Sequence, residues 1–228
     1  MRYIILDCRI PKSYITEFEK RRYTPILLPP CVRLDRPVSS HPDMLCAVVN
    51  GRMLLESRYY EENLNLFEGL SVEVTDETFE KKYPHDILLN TLSLDGTVYG
   101  HEMVSNKIKQ SANRFVTTKQ GYARCSTLLL KEANAAVTAD PTIAKALTAD
   151  GIEVMKITPG HIVLEGYDYG FIGGASAVIG NEVLFFGNIE RHIDHAAIVS
   201  FIVSHGYTPV SLSDSELYDY GGAVINEE

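Results

Sequence analysis

The clearest pattern of apolar and polar positions lies in residues 135–157. An apolar run at their start predicts a strand, and residues 143–147 place apolar side chains at helical spacing. Asp140 and Pro141 are typical of a helix start, because the Asp carboxylate accepts amide hydrogen bonds and Pro needs no amide partner there. Gly151 is the expected helix end, and the alternating run that follows it predicts a returning strand.

The same order of strand, helix and returning strand recurs in four other parts of the chain. These units are predicted at residues 3–6, 13–22 and 24–28; 45–49, 57–67 and 70–74; 97–99, 104–114 and 115–118; and 183–187, 194–203 and 207–212, the last helix capped by Asp194. The longer units add a leading strand, predicted at residues 87–89, 125–130 and 170–173. Each repeat therefore has the order β–β–α–β. One such unit is too small to bury its own apolar surface, so we expect neighbouring units to pack together.

Two α/β architectures fit this repeat. Alternation of strands and helices is typical of a doubly wound parallel sheet. Residues 7–11, which follow the first strand, hold no glycine-rich phosphate loop of the GxGxxG type. The extra strand in each unit favours five small mixed sheets around a pseudo-fivefold axis, with the helices outside. Because the linkers are short, residues 1–228 are predicted to form a single domain.

The amino-acid composition of the chain limits the classes of partner that it is expected to bind. The chain of 228 residues is 45% hydrophobic and 22% charged, with a formal net charge of −9. Nucleic acid binding requires a basic surface, so this dispersed, acidic balance argues against it. No apolar run reaches the roughly 18 to 20 residues of a membrane span, and the N-terminus does not read as a signal peptide. We therefore expect a cytoplasmic protein whose four cysteines are reduced.

Several segments resemble a known superfamily. They are GYARCS at residues 121–126, LEGYDYGFIGGAS at 164–176, HIDH at 192–195 and DYGGAV at 219–224. With the five repeats, they look like the pentein, or guanidino-group-modifying enzyme, fold, and most closely like an uncharacterised bacterial family assigned to it. The resemblance implies a five-bladed α/β propeller of ββαβ repeats. It also implies a covalent amidino-type adduct on cysteine, a histidine that moves protons and acidic residues that hold the guanidinium.

The sequence departs from that superfamily at the expected nucleophile. The family cysteine lies near the C-terminus after a glycine-rich strand, whereas no cysteine follows Cys125 here. Cys125 is thus the candidate nucleophile, since the positive charge of Arg124 can lower a thiol pKa; burial in a leading strand would instead make it inert. Glu165 and Asp168 are the candidate ligands of a cation, although an Asp in such a turn also bonds its own backbone.

The remaining candidate residues have equally ordinary alternatives. Gly173, Gly174 and Ser176 are predicted to offer amides or a hydroxyl to the ligand, or to mark tight packing. His192 and His101 are candidates for proton transfer. His192 and His195 also form an HxxH pair, but a site of this kind usually needs three protein ligands, so we predict no metal and no cofactor.

Two functions follow from these residues. The first is a pentein-like small-molecule hydrolase or transferase that acts on a guanidino, amidine or related nitrogenous compound. The alternative is a non-catalytic pentein-fold protein that binds a metabolite or a protein partner, which the missing late cysteine favours. The expected partner is a small-molecule ligand, with neither nucleic acid nor a membrane; association into a homo-oligomer is left open.

Overall fold

The computed structural model describes residues 2–227, without the side chains of 226 and 227. The strands are β1 (Arg2–Asp7), β2 (Thr24–Leu28), β3 (Cys46–Val49), β4 (Arg52–Glu56), β5 (Val72–Thr75), β6 (Leu92–Leu94), β7 (Thr97–Gly100), β8 (Arg114–Thr117), β9 (Thr127–Leu130), β10 (Ala135–Thr138), β11 (Glu153–Lys156), β12 (Ile162–Val163), β13 (Ser176–Ile179), β14 (Glu182–Phe185), β15 (Thr208–Ser211), β16 (Leu217–Tyr218) and β17 (Val224–Glu227). The α-helices are α1 (Lys12–Lys20), α2 (Pro42–Leu45), α3 (Ser57–Glu62), α4 (Asn106–Ser111), α5 (Pro141–Ala149) and α6 (His195–Ser204).

Five three-stranded sheets share one topology. Their strand orders are β17-β1-β2, β3-β4-β5, β6-β7-β8, β9-β10-β11 and β13-β14-β15. In each sheet the first-named strand, here called the leading strand, pairs antiparallel with the second. The second pairs parallel with the third. Helices α1, α3, α4, α5 and α6 connect the second strand to the third. The result is a mixed α/β fold of small sheets in the predicted β–β–α–β order, and the continuous sheet of the doubly wound alternative is absent from residues 2–227.

One sheet is assembled from both ends of the described chain. Its leading strand β17 pairs antiparallel with β1, with Ile5 opposite Val224 and Arg2 opposite Glu227. The other four sheets are built from consecutive strands. Residues 2–5 and 224–227, at the two ends of the described chain, therefore lie side by side in the same sheet.

Local sequence explains how these units begin and turn. In α5, Asp140 Oδ1 accepts hydrogen bonds from the Thr142 and Ile143 amides at 2.8 Å each, as the capping pattern predicted. The hairpin between β3 and β4 turns at Asn50-Gly51, where both residues have positive φ angles of 51° and 74°. Such an Asn-Gly pair is the preferred two-residue hairpin turn, because its twist matches that of the flanking strands.

Three sequence predictions were wrong in detail. Residues 87–89 and 170–173 form turns and irregular backbone; the leading strands that follow them are β6 and β13. Asp194 precedes α6, but its carboxylate does not cap that helix. It accepts a hydrogen bond from the Thr158 amide at 2.6 Å instead. Apolar composition alone does not separate a strand from a buried turn, which accounts for the first two errors.

Apolar clusters join each sheet to its neighbours. One cluster spans the first three sheets, the next joins the sheets of β6 and β9, another joins those of β9 and β13, and the last joins those of β13 and β17. Each unit thus covers its apolar surface with the next unit, and the final unit returns to the first. No helix within residues 2–227 combines the length and apolar character needed to cross a membrane.

Candidate functional site

Hydrogen bonds link the segments that precede the five leading strands into a closed circuit. The residues two positions before these strands are called here the ring residues: Met44, Asn90, Cys125, Gly174 and Gly222. The side-chain amide of Asn90 donates through Nδ2 to Met44 Sδ at 3.3 Å and to Cys125 Sγ at 2.9 Å. The Gly174 amide donates to the Cys125 carbonyl at 3.0 Å, and the Gly222 amide donates to the Gly174 carbonyl at 2.8 Å.

The circuit closes next to the last ring residue. The Asp43 amide donates a hydrogen bond to the Gly221 carbonyl at 3.3 Å, which joins the segment before β17 to the segment before β3. Gly222 has a φ angle of 66° and lies against the Gly173 carbonyl, so the backbone approaches too closely there for a larger side chain. Side chains that leave these segments are therefore held in fixed positions relative to one another.

A buried histidine between two buried carboxylates lies beside this circuit. His41 Nε2 is 3.9 Å from Asp7 Oδ2, and His41 Nδ1 is 3.8 Å from Asp219 Oδ1. Asp7 is held by Arg9, whose Nε donates to Asp7 Oδ1 at 2.9 Å. The Asp219 carboxylate accepts hydrogen bonds from the amides of Phe171 at 2.8 Å and Gly221 at 2.9 Å. These amide bonds orient Asp219 while leaving lone pairs for a further partner.

Burial sets the protonation of this cluster. Burial, with the positive charge of Arg9, lowers the pKa of His41 to about 3, so its imidazole is neutral near pH 7. Burial raises the pKa of Asp219 to about 6. Burial and the charge of Asp219 raise the pKa of Asp43 well above its ordinary value, and both of its carboxyl oxygens lack a hydrogen-bond partner within the described residues.

Cys125 is a buried thiol with little tendency to ionise. It is 4% exposed, and burial, together with the charges of Asp43 and Asp219, raises its pKa well above that of a free thiol. The hydrogen bond from Asn90 acts in the opposite direction, because it stabilises a thiolate. A positive charge placed next to these carboxylates would remove the largest electrostatic obstacle to the thiolate.

A cavity of about 220 Å³ opens onto this cluster. Its lining includes polar groups from the cluster, one exposed carboxylate, and aromatic and aliphatic side chains: Val38, His41, Met44, Tyr122, Cys125, Leu164, Tyr167, Asp168, Tyr169, Phe171 and Asp219. A carboxylate therefore stands at the base of the cavity, and a second stands at its mouth. Paired carboxylates at the two ends of a partly apolar cavity are chemically suited to a small cation.

Aromatic rings form one wall of this cavity. The Tyr122 and Phe171 ring centroids are 6.3 Å apart, and those of Phe171 and Tyr169 are 6.1 Å apart. The Tyr122 hydroxyl donates to Asp86 Oδ2 at 2.7 Å, which fixes the orientation of its ring. Faces of such rings attract cations, so the wall complements the carboxylates.

The structure brings two of the predicted site residues, Cys125 and Asp168, into this cavity. The Asp168 carboxylate makes no hydrogen bond to another described residue. The alternative in which this carboxylate bonds to the backbone of its own turn is therefore not observed. Glu165 is exposed and does not contribute to the lining.

The predicted glycines and Ser176 serve the backbone around the cavity. A Cβ atom at Gly173 would meet three backbone carbonyls, and one at Gly174 would overlap the Asp219 carboxylate. The Ser176 hydroxyl donates to the Ile172 carbonyl at 2.7 Å, and Ser176 lines a different cavity. The alternative of tight packing therefore accounts for Gly173 and Gly174.

Neither predicted proton-transfer histidine lines the cavity. His192 is buried; its Nδ1 accepts a hydrogen bond from the Asp194 amide at 3.1 Å, and its ring centroid is 5.5 Å from that of His161. His101 contacts Tyr83, whose ring packs on Tyr122 of the cavity wall with a centroid separation of 5.7 Å. Both roles remain predictions without geometric support.

Sequence reasoning did not single out His41, Asp43, Asn90 or Asp219 as site residues. All of them lie in the few residues before a leading strand, where the chain crosses the circuit. An alignment of the five segments that precede the leading strands would have identified these residues. In such an alignment Asn90 occupies the same position as Cys125, two residues before a leading strand. That alignment depended on leading strands that the sequence analysis misplaced.

Several solved structures have a similar fold. A variant of dimethylarginine dimethylaminohydrolase, as an adduct with S-methyl-L-thiocitrulline, matches with a TM-score of 0.59 and 13% identity over 93% of this chain and 92% of that chain. The Pseudomonas aeruginosa enzyme with bound citrulline matches with a TM-score of 0.57 and 14% identity, over the same shares. SxtG, an amidinotransferase from Microseira wollei in the saxitoxin biosynthetic pathway, matches with a TM-score of 0.58 and 9% identity over 95% and 78%.

These similarities show that the mixed α/β fold of small sheets matches that of dimethylarginine dimethylaminohydrolase and of the amidinotransferase, in agreement with the predicted resemblance to the pentein, or guanidino-group-modifying enzyme, fold. The chain belongs to DUF6873, a family of unknown function whose model matches residues 5–224. The curated proteins include no match.

Proposed function

We propose that this protein is a hydrolase or transferase of a small guanidino, amidine or related nitrogenous compound, bound in the cavity between Asp219 and Asp168. The observation that carries the proposal is the buried carboxylate of Asp219 at the base of a partly aromatic cavity that also contains a thiol and an imidazole. A planar cation pairs with a carboxylate through two parallel hydrogen bonds. The similar hydrolase and amidinotransferase folds support the same class of substrate.

A bound cation would also prepare the nucleophile. The carboxylates of Asp43 and Asp219 raise the Cys125 pKa, so a cation placed against them lowers it again. Binding and activation are then one event, and the free protein keeps an unreactive thiol.

His41 is the residue that we propose to move protons. A proton on either ring nitrogen faces a carboxylate within 4.0 Å, which stabilises the imidazolium while it exists. Cys125 loses its proton to His41, and the sulfur attacks the guanidino carbon. The bond from that carbon to the leaving amine breaks, and the amine takes the proton. Water then cleaves the amidino adduct in a hydrolase, or an acceptor amine takes the amidino group in a transferase.

We further propose that the five sheets are the blades of one closed α/β propeller, with pseudo-fivefold symmetry, in a single domain of residues 1–228. The hydrogen-bond circuit of the ring residues and the pairing of β1 with β17 support this proposal. In such an arrangement the candidate site lies beside the axis, where the segments before the leading strands meet.

The test combines binding with detection of a covalent adduct. Calorimetric titration with a panel of guanidino, amidine and amine compounds should find a ligand that wild-type protein binds and Asp219→Asn binds at least about thirtyfold more weakly, corresponding to roughly 2 kcal/mol or more. Glu165→Gln is the matched control, because it removes a nearby carboxylate outside the cavity. Intact mass spectrometry should show an amidino adduct that Cys125→Ser lacks. Failure of the whole panel to bind would refute the proposal.

A non-catalytic ligand-binding protein is the second candidate. The observation that favours it is the place of Cys125, a 4% exposed thiol, together with the absence of any cysteine in residues 126–228. Tight binding without adduct or product, lost equally in Asp219→Asn and retained in Cys125→Ser, would support this candidate and remove the catalytic one.

A further inference from the structure

A second and larger cavity lies among the leading strands. Its volume is about 550 Å³, and its lining comes from β3, β6, β9, β13 and β17 and from residues beside them. It shares no lining residue with the carboxylate cavity. The segments that carry the ring residues lie immediately before these strands, so the circuit separates the two cavities. Each leading strand is the edge of its sheet, which leaves backbone amides and carbonyls available to this space.

Arg124 projects into this cavity without a carboxylate partner. One of its terminal guanidinium nitrogens donates to the Ala223 carbonyl at 3.1 Å. Within residues 2–227 it makes no ion pair, even though it is only partly exposed. A guanidinium has five N–H donors, and no other side-chain hydrogen bond of Arg124 is formed inside the described protein. Partly buried charges are ordinarily paired, so this one has capacity for an external partner.

The other charges near this cavity do not neutralise Arg124. Lys131 and Asp95, which also line it, pair with each other at 3.7 Å. Asp43 is the buried carboxyl group that interacts electrostatically with Arg124, but it is not part of the lining and forms no ion pair with Arg124 within residues 2–227. The lining therefore carries one uncompensated positive charge, in a chain whose formal net charge is −9.

We propose that this cavity is a binding site for a small-molecule oxyanion, a carboxylate or a phosphate, held by the guanidinium of Arg124. Both groups match the fork of an arginine, which donates two parallel hydrogen bonds to paired oxygens. The backbone amides at the edges of the leading strands supply further donors of the kind that anion sites use. The volume accommodates a metabolite, and the site is independent of the substrate assigned to the carboxylate cavity.

Calorimetric titration with inorganic phosphate and with citrate, at constant ionic strength, tests this site and distinguishes the two chemistries. Wild-type protein should bind at least one of them, and Arg124→Gln should reduce that affinity by about tenfold or more, because a charge-assisted pair is lost. Lys131→Gln is the matched control and should change the affinity by less than about threefold, since this lysine is exposed and already paired. No binding of either anion by wild-type protein, or equal binding by Arg124→Gln, would overturn the proposal.

A second measurement needs no variant and remains decisive if Arg124→Gln fails to fold. Phenylglyoxal modifies accessible arginines, and peptide mass spectrometry reports each position. The bound anion should slow modification of Arg124 at least about threefold while leaving Arg52, an exposed arginine on β4 paired with Glu73, unchanged. Equal rates at Arg124 with and without the anion would overturn the site.

Discussion

Replacing Asp219 by asparagine isolates the titration of the carboxylate at the base of the cavity. The group is 1% exposed, and burial raises its pKa from 3.8 to about 6. The folded protein therefore binds this proton more tightly than the unfolded chain does. Its contribution to stability is fully present below about pH 4 and is lost as pH rises through 6. The unfolding free energy should change by about 3 kcal/mol over this pH range because of Asp219, and Asp219→Asn should abolish that change.

Asparagine is nearly isosteric, so the packing around position 219 is kept. It also removes one acceptor, because the side-chain amide would face the Phe171 or Gly221 amide as a second donor. That mismatch costs about 1 to 3 kcal/mol at every pH. It shifts the variant's stability by a constant and leaves the slope with pH to report on the carboxylate.

The assay is urea unfolding from pH 4 to pH 8, followed by far-ultraviolet circular dichroism and tyrosine fluorescence. The chain has 13 tyrosines and no tryptophan, which makes the fluorescence signal simple. The quantity of interest is the unfolding free energy of the wild type minus that of Asp219→Asn. It should fall by about 3 kcal/mol between pH 4 and pH 7 and then become flat.

Taking the difference between the two proteins reduces an opposing contribution from His41. The pKa of His41 is lowered to about 3, so this group makes the wild type more stable as pH rises from 3 to its ordinary value of 6.5. Asp168→Asn provides the matched control, since it removes an exposed carboxylate at the mouth of the same cavity and keeps the buried one. A difference for Asp219→Asn that stays flat between pH 4 and pH 7, or that merely matches the one measured for Asp168→Asn, would refute the argument that burial perturbs Asp219.

Two more experiments test the surroundings of the circuit. Gly174→Ala should lower the unfolding free energy in urea by at least about 2 kcal/mol, because the added Cβ overlaps the Asp219 carboxylate. The control Gly151→Ala, at a positive φ with open space around it, should lower it by about 1 kcal/mol. Similar losses for both variants would show that the overlap at Gly174 is relieved. Iodoacetamide at pH 8, with peptide mass spectrometry, should label the exposed Cys8 well before the buried Cys125, and faster labelling of Cys125 would contradict the raised pKa.

The sequence predicted the repeat better than the edges of its strands. The unit around α5 carries every local signal, including the Asp140 cap and Gly151, and the structure follows it closely. Strand β4 was missed although Asn50-Gly51 marks its hairpin, because the apolar run after the turn leads directly into a helix. The run at residues 87–89 has the composition of a strand, yet it forms a turn that brings Asn90 to the circuit.

The site was less accessible to sequence reasoning for a physical reason. Its residues come from separate repeats and meet only because the repeats pack in a fixed order, which no local pattern encodes. Cys125 and Asp168 were identified from their own segments, whereas His41 and Asp219 gain their meaning from each other. His192 and His195 were candidates only because of their HxxH spacing. That spacing places them at the start of α6 and away from the cavity.

Pairing of β1 with β17 has a consequence for how the protein is made. Strand β17 follows the strands of the other four sheets in the chain, so β1 and β2 are synthesised long before residues 224–227, which complete their sheet, emerge from the ribosome. Removing residues 224–227 would strip the first sheet of its leading strand and open the circuit beside Gly222. Conversely, a permuted form of residues 2–227, with the paired residues 2 and 227 joined by a short linker and the chain opened between two other sheets, should keep the same contacts.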